Sequence, residues 1–375
     1  MATELRGDRL VALRELEGIT QAELASTLGV TSAALTHVVN GDRPFPETWA
    51  HAASQAYRVP IEFFAVMPTP ADLGILTYKK KSTARVRDEK RVDRLYAEAG
   101  RLFRHASTAS GYHGATLPDP ADFNDDPELV AEEVRRLSGA GPLDPITNVT
   151  RLCERLGVGV IDNLDPRPQE EPRHSGASRP SRFEDRPLIA LAADLPPGLK
   201  RFVIAHELYH LIADRDLDRP LTSTRDPREL RAHRFAGALL LPQVVARTRL
   251  TSTLTLHGYL RVKADYGVEV RGLIHRAKDL KVISPDRERS LYIQWSSSGW
   301  RTSEPVPVAD ERPLLLAQAL QTAEGKNYAA RLSHTIGVPA DLISHWTQGA
   351  SDRRRESTEQ AAEVVTLADH VVRSR

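Results

Sequence analysis

The chain has 375 residues, of which 41% are hydrophobic and 27% charged, so its length excludes a single small module and favours two or three domains. Its formal net charge of +1 excludes whole-chain attraction to nucleic acid, so any such binding requires a local basic surface. No apolar run approaches the roughly 18–20 residues that span a bilayer, and the start lacks a signal-peptide pattern, which predicts a cytoplasmic protein without membrane contact.

Residues 1–66 predict a compact, all-helical first domain. Short apolar-periodic helices fill residues 5–64. They are separated by residues that end helices and permit turns, namely Gly18, Gly29, Gly41 and Pro44.

Within this domain, residues 20–44 show the pattern of two helices joined by a tight turn, TQAELASTLGVTSAALTHVVNGDRP. Gly29 suits the turn because a residue without a side chain takes positive φ at no steric cost, and Thr31 is a good N-cap for the second helix. The apolar residues that would lock the helices together are Leu24, Ala25, Leu28, Val30, Leu35 and Val38. The segment resembles the helix-turn-helix of the Cro/C1 repressor type, the XRE family.

The second helix of such a motif enters the major groove, so its outward residues are the candidates for DNA contact. The resemblance implies that the protein binds double-stranded DNA as a homodimer on paired half-sites. Because this helix carries small residues and no arginine, a motif used for packing alone remains the alternative. The candidate contacts are Gln21 in the preceding helix, Thr31, Ser32, Ala33, Thr36 and His37 in and before the second helix, and Asn40 and Arg43 after it.

Residues 67–125 predict a helical connector. Three lysines at 79–81 begin a charged run that continues through Arg104, with apolar residues spaced for a helix. A solvated connector helix is the favoured interpretation, and a basic arm that flanks DNA is the alternative. The pattern breaks over residues 113–126.

Residues 126–305 predict a second, mixed domain. Helical patterns occupy residues 127–137 and 146–156. The second of these contains the single cysteine, Cys153, which excludes an internal disulfide and fits a buried, inert thiol in a reducing compartment.

Short buried strands are predicted at residues 158–161 and 187–191 of this domain. The stretch between them at 166–182 is rich in Pro, Arg, Glu and Ser and predicts a mobile loop. The expected fold class is therefore α+β and predominantly helical, with a small sheet in the second domain.

The next predicted helix carries the sequence His206-Glu207-Leu208-Tyr209-His210. Histidines at i and i+4 lie one above the other on a helix, so both can bind one ion at about 2.0–2.1 Å from each nitrogen. Glu207 lies about 100° round the helix, where it can act on water as a general base. Two imidazoles and a carboxylate suit zinc, and manganese accepts similar ligands. The motif predicts a metal-dependent hydrolytic site.

A later acidic residue is needed as the third ligand. Glu229 begins the next helical pattern, which leaves room for a turn and a return across the site. Asp214, Asp218 and Asp226 are rivals, of which Asp214 is better placed to orient a ligand than to be one. His233, one turn after Glu229, has two equal interpretations: a hydrogen bond to substrate or oxyanion, or an ordinary helix histidine.

Around the motif the chain has RFVIAHELYHL at 201–211, then Glu229, Ala232, Phe235, Ala236 and LLLP at 239–242. This pattern resembles the ImmA/IrrE family of metallopeptidases, and the resemblance extends from about residue 126 to residue 304. It implies a zincin-like fold, zinc or manganese bound by His206, His210 and Glu229, and Glu207 as general base. Two positions depart from the family: Tyr209 replaces a common glycine and is expected to narrow the cleft, and His233 replaces a small polar residue.

Residues 330–349, ARLSHTIGVPADLISHWTQG, align without gaps with residues 22–41. The alignment suggests a second helix-turn-helix-like unit within a C-terminal helical region at 306–375, with Pro339 at the cap position. A helical hairpin that only closes this region is an equal alternative. The charged tail at 351–375 is expected to form an exposed helix.

These patterns fit three functions. The first is a DNA-binding transcriptional regulator whose zinc-dependent metalloendopeptidase domain cleaves a repressor-type protein partner. In the alternative, the peptidase-like domain senses a ligand, a peptide or a metal without proteolysis. The third is an antitoxin-like or scaffold protein, which predicts no bound metal.

Overall fold

The computed structural model describes residues 4–80, 86–167, 174–192, 194–221 and 223–348, so the predicted tail helix at 351–375 lies outside the described residues. These residues form two compact units. The first comprises the described parts of Met1–Val66, Arg104–Tyr112 and Arg312–Arg375, and the second those of Met67–Phe103 and His113–Glu311. Helices predominate and one small sheet is present, which confirms the predicted α+β, mainly helical class.

The described helices, in chain order, are α1 (Asp8–Glu17), α2 (Gln21–Thr27), α3 (Ser32–Val39), α4 (Glu47–Tyr57), α5 (Val86–Ala109), α6 (Pro127–Leu137), α7 (Val149–Arg155), α8 (Pro197–Ala213), α9 (Pro227–Leu240), α10 (Gln243–Arg249), α11 (Leu256–Tyr266), α12 (Val270–Asp279), α13 (Pro285–Ser297), α14 (Leu315–Glu324), α15 (Tyr328–Ile336) and α16 (Ala340–Thr347). Short 3₁₀-helices are described at Ile61–Ala65, Pro70–Leu73 and Pro120–Phe123. The described strands are β1 (Thr77–Lys80), β2 (Gly159–Ile161), β3 (His174–Ser178) and β4 (Leu188–Leu191).

The predicted helix-turn-helix is formed by α2 and α3. A capping box starts α2, in which the Thr20 hydroxyl accepts from the Glu23 amide and the Glu23 carboxylate accepts from the Thr20 amide. The Thr31 hydroxyl caps α3 as expected, accepting from the amide of Ala34 at 3.2 Å. Gly29 has a φ of 66°, and a Cβ at this position would have no atom within 4 Å. Glycine is therefore favoured here because of the left-handed backbone and not because space is lacking.

The C-terminal part of the first unit contains the helix pair that the internal alignment suggested. Gly337, with a φ of 67°, joins α15 to the turn, and a Cβ on it would lie 2.8 Å from the carbonyl oxygen of Glu62. The side chain of His334 also lies 3.1 Å from a carboxylate oxygen of Glu62. Helix α15 therefore packs on the 3₁₀-helix at Ile61–Ala65, and a role of the pair α15 and α16 in DNA binding stays a prediction.

The sheet of the second unit has the strand order β1-β3-β4-β2. The pairs β1–β3 and β3–β4 are antiparallel, while β2 and β4 run parallel. Strands β2 and β4 lie where the buried-strand patterns predicted them, and all of their residues are buried.

Two predictions for this part of the chain are wrong. Within the stretch at 166–182, expected to be a mobile loop, residues 174–178 form β3, which hydrogen-bonds to a strand on each side, while residues 168–173 lie outside the described residues. Lys79 and Lys80, expected in a connector helix, lie in β1, and the helix begins at Val86; Lys81 lies outside the described residues. Strand β1 is at the edge of the sheet, where charged residues are tolerated because one side of the strand is not paired.

Helix α8 forms the centre of the second unit. Every residue from Val203 to Ile212 is buried, and the helix packs against β3, β4, α7 and α9. At its start, Nζ of the buried Lys200 lies 2.6 Å from Oδ2 of Asp162 and 2.8 Å from Oδ1 of Asp310. Asp310 and Glu311 thus pack at the start of α8. The domain limits at 66, 125 and 305 stay predictions. Within the described ranges, no helix has the length and apolar character needed to cross a membrane.

Candidate functional site

Helices α8 and α9 bring three ligand-type side chains together. Nε2 of His206 and Nε2 of His210 are 3.2 Å apart, as expected from one helical turn. Glu229, in the first turn of α9, places Oε2 3.3 Å from Nε2 of His206 and Oε1 3.5 Å from Nε2 of His210. The two histidines are buried and Glu229 nearly so, which leaves a compact, largely dehydrated cluster.

The spacing of this cluster fits a metal ion. Two ligand atoms at about 2.0–2.1 Å from a tetrahedral ion lie about 3.3–3.4 Å apart. The three separations between His206, His210 and Glu229 are 3.2, 3.3 and 3.5 Å. Little rearrangement would be needed for these atoms to share one cation.

The rival carboxylates have other positions. Oδ2 of Asp214 lies 2.6 Å from Nδ1 of His210, so this aspartate orients the imidazole and leaves Nε2 to face the cluster. Asp226 caps α9 by accepting from the amide of Arg228 at 2.9 Å. Asp218 is exposed and lies outside the cluster. The structure thus brings Glu229 to the histidines, as the sequence analysis favoured.

The electrostatics of the cluster favour positive charge. Burial lowers the pKa of His210, but its hydrogen bonds with Asp214 and Glu229 raise the pKa to about 10. Burial raises the pKa of Glu229, but hydrogen bonds with His206 and His210 hold that pKa well below its usual range. The carboxylate is therefore ionised at neutral pH, and a cation among these side chains is stabilised.

Glu207 is held on the side of α8 that faces the sheet. It is 1% exposed, and its Oε2 accepts a hydrogen bond from Oγ of Ser178 on β3 at 2.7 Å. Oγ1 of Thr77 on β1 lies 3.3 Å from the same oxygen. A Cβ at Gly176 would lie 3.1 Å from Cγ of Glu207, so the glycine permits this close approach of β3 to α8. The sequence analysis missed Ser178 and Thr77 because it predicted neither of their strands.

Tyr209 and His233, the two residues that depart from the family pattern, lie in different surroundings. Tyr209 packs in the core with its ring 5.0 Å from that of Phe235, and so does not narrow the cleft as expected. Burial raises the pKa of Tyr209 to about 12. The ring of His233 lies 4.7 Å from Phe202 and 6.5 Å from His206, next to the cluster but outside its ligand set.

The candidate DNA contacts lie on one exposed part of the helix-turn-helix. Gln21 is half-buried and supports α3, because its side-chain amide donates to Oγ1 of Thr36 at 2.7 Å and to the carbonyl of Ser32 at 3.1 Å. His37 lies 3.1 Å from a carboxylate oxygen of Asp42, which reduces the positive potential of this surface. The exposed candidates are Thr31, Ser32, Ala33, Thr36, His37, Asn40 and Arg43.

Two protein-family models match parts of this chain. Residues 153–278 match the model of the IrrE N-terminal-like domain of peptidase family M78, and this range contains all four residues of the candidate active site. Residues 7–62 match the model of a helix-turn-helix domain. No curated protein and no solved structure matches the chain. The two family resemblances found in the sequence are thereby confirmed.

Proposed function

We propose that this chain, which joins a helix-turn-helix domain to an IrrE-like peptidase domain, is a cytoplasmic, DNA-binding transcriptional regulator that cleaves a repressor-type protein partner. The observation that carries the proposal is the buried cluster of His206, His210 and Glu229 beside Glu207, on adjacent turns of packed helices. Buried ionisable groups are costly unless they are paired or bind a cation, and the tetrahedral spacing of two imidazoles and one carboxylate favours a cation over a purely structural ion pair.

The residues of the cluster would hold one divalent cation, for which we propose zinc, with manganese as the alternative. When bound, the cation supplies a Lewis acid that polarises the scissile carbonyl and acidifies water. His206, His210 and Glu229 bind it, and Asp214 fixes the orientation of His210 through the 2.6 Å hydrogen bond.

Glu207 is the proposed general base. The hydroxyl of Ser178 holds Oε2, so the carboxylate has a fixed orientation, and Oε1 is the oxygen that takes the proton from water. The same carboxyl group then gives this proton to the leaving amine. Ser178 acts as a positioning residue, because its hydroxyl touches the carboxylate and not the substrate.

The helix-turn-helix domain supports a repressor-type substrate. Binding to double-stranded DNA places the peptidase near other DNA-bound proteins and raises their effective concentration without any added contact. We propose that the domain acts as a homodimer on paired half-sites, as is usual for this type of motif.

The test of proteolysis compares the wild type with Glu207→Gln, His206→Ala and Glu229→Ala. Purified proteins are analysed for metal content and then incubated with candidate repressors. Wild type should hold one tight ion and cleave, Glu207→Gln should hold the ion without cleaving, and the two ligand variants should lose both properties. Glu154→Gln, a change at a buried glutamate outside the site, should behave as the wild type. Cleavage by Glu207→Gln would contradict the proposed role of Glu207.

A metal-dependent sensor is the second candidate function. The near-complete burial of Glu207, at 1% exposure, favours it because a general base must reach water. In that case the metal content of the wild type and of Glu207→Gln is the same, neither protein cleaves, and gene regulation survives the substitution. A chain that binds no metal in any variant would favour the scaffold function.

DNA binding has a separate test. Duplexes selected from a random library are compared in titrations over a range of salt concentrations. Arg43→Ala should weaken binding to all duplexes alike and lower the salt dependence by about one phosphate contact, whereas His37→Ala should change the order of preference. Thr27→Ala, on the exposed part of α2, is the control. Unchanged binding in both variants would contradict the proposed surface.

A further inference from the structure

A second group of metal-ligating side chains lies beside the first. His233 of α9 and His275 and Asp279 of α12 each have a ligand atom within 4.8 Å of the other two. The rings of His233 and His275 have centroids 4.6 Å apart, and Nδ1 of His275 lies 2.9 Å from Oδ2 of Asp279. None of the three belongs to the ligand set of the proposed hydrolytic site.

We propose that His233, His275 and Asp279 bind a second divalent transition-metal ion, of the class of Zn²⁺. Two imidazoles and a carboxylate are the donor set that suits this class of ion. The spacing of His275 and Asp279, four residues apart on α12, brings their side chains to one face of the helix. His233 completes the set from the neighbouring helix α9.

The two sites are neighbours without shared ligands. Glu229 and His233 are four residues apart on α9, so one helix contributes a ligand to each site. The ring centroids of His206 and His233 are 6.5 Å apart. A chain with both sites filled therefore holds two ions, whereas the proposed hydrolytic function alone predicts one.

The second site should bind its ion more weakly than the first. The side chains of His275 and Asp279 are 37% and 30% exposed, so water competes for the ion. The side chains of His206 and His210 in the first cluster are only 4% and 1% exposed.

The experiment is a Zn²⁺ titration of the full chain after removal of metal with a chelator. Competition with a chromophoric chelator should show two ions per wild-type chain, the second bound at least tenfold more weakly. His275→Ala and Asp279→Asn should each remove the weaker ion and keep the tight one, while His206→Ala should do the reverse. His257→Ala, a change at an exposed histidine of α11 in neither cluster, should keep both ions.

Several results would overturn the second site. The second site is contradicted if the wild type binds one ion. It is also contradicted if His275→Ala and Asp279→Asn both retain two ions, or if both variants lose both ions. Asp279→Asn keeps the shape of the side chain, and circular dichroism confirms that each variant is folded. Loss of the tight ion in His206→Ala tests the proposed hydrolytic site alone, so the two proposals can fail separately.

Discussion

Replacing Ser178 with alanine tests how the buried carboxylate of Glu207 is stabilised. Ser178 is 0% and Glu207 1% exposed, and the hydroxyl donates to Oε2 at 2.7 Å. A hydrogen bond to a charged group contributes about 1.5–3 kcal/mol, and a buried carboxylate that loses a donor cannot turn to water. Ser178→Ala should therefore lower the free energy of unfolding of the second unit.

Thr77 sets the size of the effect. Its Oγ1 lies 2.8 Å from the carbonyl oxygen of Ser178 and 3.3 Å from Oε2 of Glu207, so its single proton can turn from the carbonyl to the carboxylate. We expect a loss of about 1.5 kcal/mol for Ser178→Ala and about 1 kcal/mol for Thr77→Val. The double variant should lose about 4 kcal/mol, more than the sum, because no hydroxyl then remains on the carboxylate.

The assay is urea unfolding followed by tryptophan fluorescence. Every protein carries Trp49→Phe and Trp346→Phe, so the fluorescence comes from Trp295 and Trp300, which both lie in the second unit. EDTA is added to remove any stabilisation by bound metal. Ser138→Ala is the matched control, since this buried hydroxyl donates to a neutral carbonyl at 2.9 Å and should contribute only about 1 kcal/mol. The reasoning is refuted if the free energy of unfolding lost in the double variant equals the sum of the two single losses. It is also refuted if Ser178→Ala loses less free energy of unfolding than the control.

Three further predictions, the first with a glycine elsewhere in the unit as its control, concern packing, charge and metal binding in the second unit. Gly176→Ala would place a Cβ 2.4 Å from a valine methyl of α8 and should cost about 1–3 kcal/mol in thermal unfolding. Gly272→Ala, whose nearest atom is at 3.3 Å, should be neutral or stabilising by up to about 1 kcal/mol. Arg276→Met removes the guanidinium that contacts the buried carboxylate of Glu128 at 2.5 and 2.7 Å. This change should lower the free energy of unfolding by about 3–5 kcal/mol in urea. If the added substitution Glu128→Leu recovered none of this loss, the explanation would fail. Asp214→Asn should weaken Zn²⁺ binding about 10–100-fold in chelator competition, and unchanged affinity would show that it does not orient the histidine.

The parts of the fold that the sequence predicted are those with local signals. The turn of the helix-turn-helix depends on Gly29 and Thr31, whose effects on backbone and cap act within a few residues. The two histidines of α8 lie together because helical periodicity places them so, whatever surrounds the helix. Spacing alone could rank Glu229 among its rivals but not assign it, because its position depends on how α9 packs against α8, and the assignment came from the family resemblance.

The parts that the sequence did not predict depend on distant partners. Strand β3 has the sequence HSGAS, which has neither apolar alternation nor β-branched residues, and its stability comes from pairing with strands on both sides. Strand β1 contains lysines and is an edge strand of the sheet that the described residues form. Ser178 and Thr77 are 101 residues apart, so no local pattern connects them.

The position of Thr77 also changes what the smallest peptidase-like unit must contain. A domain that starts at residue 126 includes the helix with Glu207 but omits β1, and with it one of the two hydroxyls at the carboxylate. It also omits Arg91, whose guanidinium binds the buried Asp165 at 2.6 and 2.7 Å, and would leave that carboxylate without this ion pair. The family match begins later still, at residue 153. Both the orientation of the proposed base and the ion pair of the buried Asp165 therefore depend on residues 67–103, which belong to the second unit although they lie outside the family match.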